Sequence, residues 1–309
     1  MAKTTTELLT AVKRLITMPA SQVLMTNTDM LAIADDVLMR NIVPAILASR
    51  QDFLMGEPTT TATVADQAAY SIPVRAVGRA IREVKLLDGS DNARNLSLIQ
   101  LEDEHLFADT GAPTGFYFRG DKLILVPAPD SDDYSIKMWY PIQPSNLVES
   151  TAVATVVSTT TTVVTVNSTP SGITSGSVVD FIQGVSGNSL LATDKTVAST
   201  TTTTITFAAN TIPTGLVAGD YIALAQRAPV FVGIPDEAFP WIKLETGAEI
   251  LYAVGDYDGQ AKLLEQANKH KEAFLQLIQP RAVGEPTKII NRNGLLRRRF
   301  YKARRAVIV

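Results

Sequence analysis

The chain has 309 residues, 46% of them hydrophobic and 19% charged, with a net charge of −3 and no cysteine. That is ample apolar material for a packed core and enough length for roughly two domains. Disulfides and thiolate chemistry are excluded, and with only His105 and His270, in unrelated segments, zinc sites of the usual ligand types are excluded as well.

The opening residues lack the charged start and continuous apolar core of a signal peptide, and no stretch reaches the length of a membrane span, so neither export nor membrane insertion is expected. Leu8, Val12 and Leu15 recur at helical spacing and predict a first helix over 6–16. Asn27-Thr-Asp29 supplies an N-cap cluster for a second, with Ala34, Val37, Leu38, Ile42 and Ala45 on one face. Pro44 is expected to kink or end it.

From Thr59 the pattern changes to short strands and turns. Ala69–Ile72 and Ala80–Leu86 read as strands, and 97–108 as a short helix closed by Thr110-Gly111. Phe116–Phe118 and Leu123–Val126 flank Gly120-Asp121, the pattern of a β-hairpin. Tyr134, Ile136, Met138 and Tyr140 then alternate along a further strand.

The middle of the chain repeats itself. Ala154-Thr-Val-Val-Ser-Thr-Thr-Thr-Thr-Val-Val-Thr-Val166 returns as Lys195-Thr-Val-Ala-Ser-Thr-Thr-Thr-Thr-Thr-Ile-Thr-Phe207. Ser175-Gly-Ser-Val-Val-Asp-Phe-Ile-Gln183 returns as Ala218-Gly-Asp-Tyr-Ile-Ala-Leu-Ala-Gln226. A duplicated two-strand unit rich in Thr and Val predicts a small barrel or sandwich over 146–228 with almost no helix. Short proline-bearing strands at 141–144 and 227–229 bracket it, as expected of an insertion whose ends lie close together. After Pro235-Asp236, Trp241, Leu244, Ala248 and Leu251 share one helical face, and Leu263, Ala267, His270, Phe274 and Leu277 another, predicting a helical hairpin turned at Gly255–Asp258. The fold class is therefore α+β: helices at both ends, a β-hairpin region, and an inserted all-β module with internal duplication.

Little in this sequence carries catalysis. Glu102-Asp-Glu-His105 reads as a solvated acidic face, and Asp130-Ser-Asp-Asp133 as a turn, because the glycine and closing glutamate of a calcium loop do not follow. Gly184-Val-Ser-Gly187 is one position short of a nucleophile elbow, and Arg119-Gly-Asp121 is what a hairpin turn requires. No cofactor, metal or enzymatic activity is expected.

The strong constellation is the terminus. Residues 287–309 hold no carboxylate and eight of the 28 cations, leaving 20 against 31 carboxylates in the rest, a charge of −11. Lys288, Arg292, Arg297, Arg298, Arg299, Lys302, Arg304 and Arg305 alternate with Leu296 and Phe300, an apolar spacing that a loose arm would not need. These ten residues are the expected partner-binding set, their apolar side burying against a protein and the arginines meeting its carboxylates. The alternative is a nucleic-acid-binding arm working through phosphates.

The ordered series Ala65–Pro73, Arg82–Gly89, Leu98–Glu102, Gly111–Phe118, Leu123–Pro129 and Tyr134–Tyr140, between two N-terminal helices and a closing helical pair, resembles the head-to-tail adaptor proteins of short-tailed phages. The resemblance covers about residues 1–145 and 229–280. It implies a structural virion protein at the head–tail junction, assembled in the host cytoplasm: a homo-oligomeric ring, usually dodecameric, beneath the portal, extending a channel through which viral DNA passes without sequence-specific binding. On this analogy 1–145 and 229–286 form a discontinuous core, 146–228 an inserted β domain facing neighbours or fibres, and 287–309 the portal-docking arm. The implied partners are the portal protein, tail nozzle or tail fibre proteins, and further copies of the chain, with no membrane.

Overall fold

The computed structural model describes residues 3–17, 25–90, 92–107, 109–185 and 187–279. Three hydrophobic cores, and a smaller cluster on the outer wall of the third, organise them. The first is helical: α1 (Thr5–Leu15), α2 (Asn27–Val37), α3 (Val43–Ser49), α4 (Phe239–Val254) and α5 (Tyr257–Ile278) bury Leu8, Leu31, Ile42, Ile46, Trp241 and Phe274 together. The first two helices begin in capping boxes, Thr4 with Glu7 and Thr26 with Asp29, so the second starts one residue before the predicted cluster.

Pro44 does not end the second helix. A π-helical turn, Leu38–Ile42, precedes it and places Pro44 in the first turn of α3, and helical backbone continues through Ser49. The wider turn also shifts the buried face, so Val43 and Ile46 are fully buried while Ala45 packs at the edge of the core, partly buried. On α5 the buried stripe is Leu263, Ala267, Phe274 and Ile278, while His270 and Leu277 face solvent. The stripe is centred towards Lys271, whose Nζ sits 5.5 Å from the Trp241 ring centroid.

The second core lies between two four-stranded sheets. One has the order β1 (Thr59–Ala62), β8 (Ser135–Trp139), β3 (Glu83–Leu87), β4 (Ala93–Asn95). The other has the order β2 (Ala69–Ser71), β7 (Lys122–Val126), β6 (Gly115–Arg119), β5 (Ser97–Leu98). Val84, Leu86, Ile136 and Met138 meet Tyr70, Phe116, Leu123 and Leu125. The predicted turn joins β6 to β7, with Gly120 at φ 63°. The helix expected over 97–108 is instead the edge strand β5, paired in parallel with β6, followed by a 3-10 stretch, Leu101–Leu106. The N–H of Ile99 donates to the Phe116 carbonyl at 2.9 Å, a sheet bond that competes with helix formation at that point. Residues 141–144 make single bridges, Pro141 to Met55 and Ile142 to Ala76, in place of a strand.

The third core fills a closed six-stranded barrel in the order β10 (Ala154–Thr159), β11 (Val163–Val166), β14 (Thr204–Phe207), β13 (Leu190–Thr200), β12 (Val178–Ile182), β15 (Tyr221–Leu224). The sequence repeat is a structural one. Bulges fall between Val156 and Ser158 and again between Val197 and Ser199. The turn-closing side-chain bonds also recur, from Val163 N–H to Thr160 Oγ1 and from Thr204 N–H to Thr201 Oγ1. A pseudo-twofold axis relates the halves. It passes between Val164 and Ile205 where β11 meets β14, and between Asp180 and Ala223 where β12 meets β15.

Candidate docking surface and the clasp that positions it

The chain enters the barrel through β9 (Asn146–Leu147) and leaves through β16 (Arg227–Ala228), which pair in parallel and so lie side by side. Both ends are held by the helices. The N–H of Thr5 donates to the Pro229 carbonyl and its hydroxyl to the Val148 carbonyl, each at 2.8 Å. Asp35 on α2 accepts the N–H of Leu147 at 2.8 Å. Burial pushes the Asp35 carboxyl up to about 7, against the lowering effect of that hydrogen bond, with the neighbouring Asp36 charge adding to the rise.

A second attachment is ionic. The outer wall of the barrel at β12 and β15 is buried by Val153, Ala228, Val230 and Val232, and in this wall Asp180 is 0% exposed. One terminal nitrogen of Arg75, from the loop after β2, contacts both oxygens of Asp180 at 2.8 Å. Its other bonds go to Asp194 on β13, at 3.0 and 3.1 Å. Asp180 also accepts the N–H groups of Asp194 (3.0 Å) and Gln226 (2.8 Å), so each of its oxygens takes one backbone bond besides the guanidinium. Burial works to lower the Arg75 guanidinium, but the bonds from Asp194 and Asp180 outweigh it and raise it above its usual value. A cleft of about 590 Å³ opens beside the clasp, between Met55, Tyr140, Leu190 and Val232.

Two groups of large apolar side chains stay exposed. Leu98, Leu101, Leu106 and Phe118 surround the acidic stretch Glu102–Glu104, and Tyr252, Val254 and Tyr257 cap the turn between α4 and α5. That turn is built to be rigid. Gly255 closes α4 at φ 88°, and Asp256 accepts the N–H of Gly259 at 2.9 Å. The ring centroids of Tyr252 and Tyr257 are 5.7 Å apart. Exposed apolar side chains gathered in groups are the material of protein–protein contacts.

The ten predicted partner-binding residues, Lys288, Arg292, Leu296, Arg297, Arg298, Arg299, Phe300, Lys302, Arg304 and Arg305, lie outside the described residues. Among the described residues no group of three or more His, Asp or Glu is placed to hold a metal, and no helix is long and apolar enough to cross a membrane. His105 is exposed, its Nδ1 2.7 Å from the Glu102 carbonyl oxygen, and Glu104 accepts the hydroxyl of Tyr117 at 3.1 Å. The clasp is absent from the sequence reading, yet a signal for it exists. Asp180 interrupts an apolar strand where the second repeat has Ala223.

The series of helices, hairpins and strands that suggested an adaptor now has a structure behind it, and the profile of the SU10 adaptor protein family matches residues 3–168, just over half of the chain. The chain belongs to this family. The matched segment takes in α1 to α3, both sheets and the barrel strands β10 and β11. No curated protein matches the sequence. As an SU10 adaptor the protein is a phage adaptor with a structural role in the virion.

Proposed function

We propose that this SU10 adaptor assembles as a ring, dodecameric on the family analogy, beneath the portal, joining head to tail and extending the DNA channel without catalysing a reaction. The family match over 3–168 carries the reading. The two exposed apolar groups support it, because a ring subunit must hold its neighbours through side contacts. In this reading 1–145 with 229–286 form the core, 146–228 is an inserted domain facing neighbours or tail proteins, and Lys288 to Arg305 form the arm that docks on the portal. An acidic body suits a channel through which DNA slides.

Electron microscopy of the full chain mixed with portal tests this. Rings seated on the portal are expected, and deletion of 287–309 should abolish the association while leaving the fold of 3–278 unchanged by circular dichroism. A monomer that ignores portal would overturn the reading. Portal association that survives the deletion would remove the arm's role and leave the basic segment to the nucleic-acid alternative.

A further inference from the structure

The outward face of the β1-β8-β3-β4 sheet carries an arrangement that neither the core nor the clasp uses. Lys85 on β3 and Lys137 on β8 are direct partners in the antiparallel register, which sets two like charges opposite each other, a pairing that weakens a sheet. Trp139 lies two residues further along β8 and so projects to the same side. The Nζ atoms of Lys85 and Lys137 are 4.8 and 5.4 Å from its ring centroid. All three side chains remain partly open to solvent, while the alternate residues Val84, Leu86, Ile136 and Met138 are buried on the other side.

Attraction to the indole face compensates part of the repulsion between the ammonium groups and keeps both at one place on the surface. Glu83, opposite Trp139, lies 3.3 Å from Lys85, and the adjoining Arg82 is paired with Asp52. Among the described residues Lys137 has no ion-pair partner. The face therefore presents two cations held at one ring with a single carboxylate against them, an excess of one positive charge.

We propose that Lys85 and Lys137, held by Trp139, contact the phosphate backbone of duplex DNA. The choice of DNA as the polyanion rests on the adaptor reading; the cationic pair itself does not. Lysine ammonium groups act as point charges on phosphates and carry no base preference, which suits DNA that passes rather than stays. The indole is engaged by the cations, so a ligand meets the charges first.

The test uses the full-length protein and a mixed-sequence duplex, with salt dependence and tryptophan emission read together. Losing two phosphate contacts lowers the slope of log affinity against log salt by about 1.8, so from roughly 50 to 200 mM salt the wild type should lose about 12-fold more affinity than K85Q/K137Q. K85R/K137R should keep the wild-type slope. Because 287–309 bring eight cations of their own, a local signal is needed. Trp139 provides it, since Trp241 is the other tryptophan of the chain and is 1% exposed. Duplex should change the Trp139 emission, and W139F should abolish that change. An unaltered slope in K85Q/K137Q, or Trp139 emission that stays constant while duplex binds, would overturn the proposal. So would quenching by oligodeoxythymidylate that is indifferent to the lysines, because stacking of bases would then be the contact. Failure to form rings on the portal would refute the adaptor reading and leave these measurements standing.

Discussion

Arg75→Ala should cost about 3–5 kcal/mol, the penalty for leaving a buried carboxylate without its cation. Asp180 is 0% exposed and would keep only the N–H groups of Asp194 and Gln226, whereas Asp194, whose side chain is 55% exposed, would be rehydrated at little cost. Asp180→Ala removes the charge but orphans those two N–H groups, about 1–3 kcal/mol each where water cannot reach them, and leaves Arg75 its bonds to Asp194. The double variant has no buried unpaired charge, so it should be no less stable than Asp180→Ala, and the cycle should then show a coupling at least as large as the Arg75→Ala cost, about 3 kcal/mol or more. Urea titration followed by both tryptophan fluorescence and far-ultraviolet circular dichroism is the assay. Trp139 and Trp241 lie outside the barrel, so fluorescence follows the sheet and helical cores while circular dichroism includes the barrel strands. In Arg75→Ala the two curves should separate. Additive single costs, within about 0.5 kcal/mol, would refute the clasp as a coupled unit.

Two further perturbations test the attachment and the duplication. Asp35 holds a proton in the folded state that the unfolded chain gives up between its ordinary 3.8 and about 7. Stability should therefore fall as pH rises through that window, by at most about 4 kcal/mol before solvent screening reduces it. Asp35→Asn should be more stable than the wild type at pH 8 and equal to it near pH 4, measured by denaturation at each pH; a constant difference would refute the assignment. The equivalent glycines of the two repeats, Gly176 and Gly219, have φ of 84° and 94°, but a Cβ at 176 meets open space and one at 219 comes 2.6 Å from Val185 Cγ2. Gly176→Ala should cost about 1–2 kcal/mol of backbone strain, and Gly219→Ala about 1 kcal/mol more; equal costs would show that Val185 yields freely.

What could be read from the sequence follows from what each pattern depends on. The alternation of Ile136 and Met138 is a local property of a strand with one buried face, and it reappears in β8. Gly120-Asp121 turns where predicted because turn chemistry is set by backbone conformation at two residues. The helical stripes were visible but not their centres. Periodicity places Leu277 and Ile278 at opposite edges of one stripe, and the position of α4 decides that Ile278 is buried and Leu277 is not. The π turn before Pro44 answers to packing of α2 and α3 around Ile42 and has no signature a propensity scale would detect. In the stretch 97–108, expected as a helix, Leu98, Leu101 and Leu106 are exposed, so no buried face holds these residues in one. The partner-binding set at 288–305 lies outside the described residues.

The duplication explains why the clasp is singular. A twofold module presents its repeated features twice, but a barrel joined to the rest of the chain by one wall meets Arg75 once. The axis runs between Asp180 and Ala223, which are direct partners across β12 and β15 and are both 0% exposed. Were the repeat faithful at this point, two carboxylates would face each other across neighbouring strands, buried and served by a single guanidinium. Like charges so close cannot both stay ionised, and one would have to be protonated or leave the wall. Alanine at 223 removes that conflict and leaves all of Arg75's bond to the barrel's outer wall on one residue. The same substitution spoils the twofold symmetry at the axis itself, which gives the barrel a defined orientation on the core: the Asp180 side of the wall, and not its near-identical mate, meets the loop after β2.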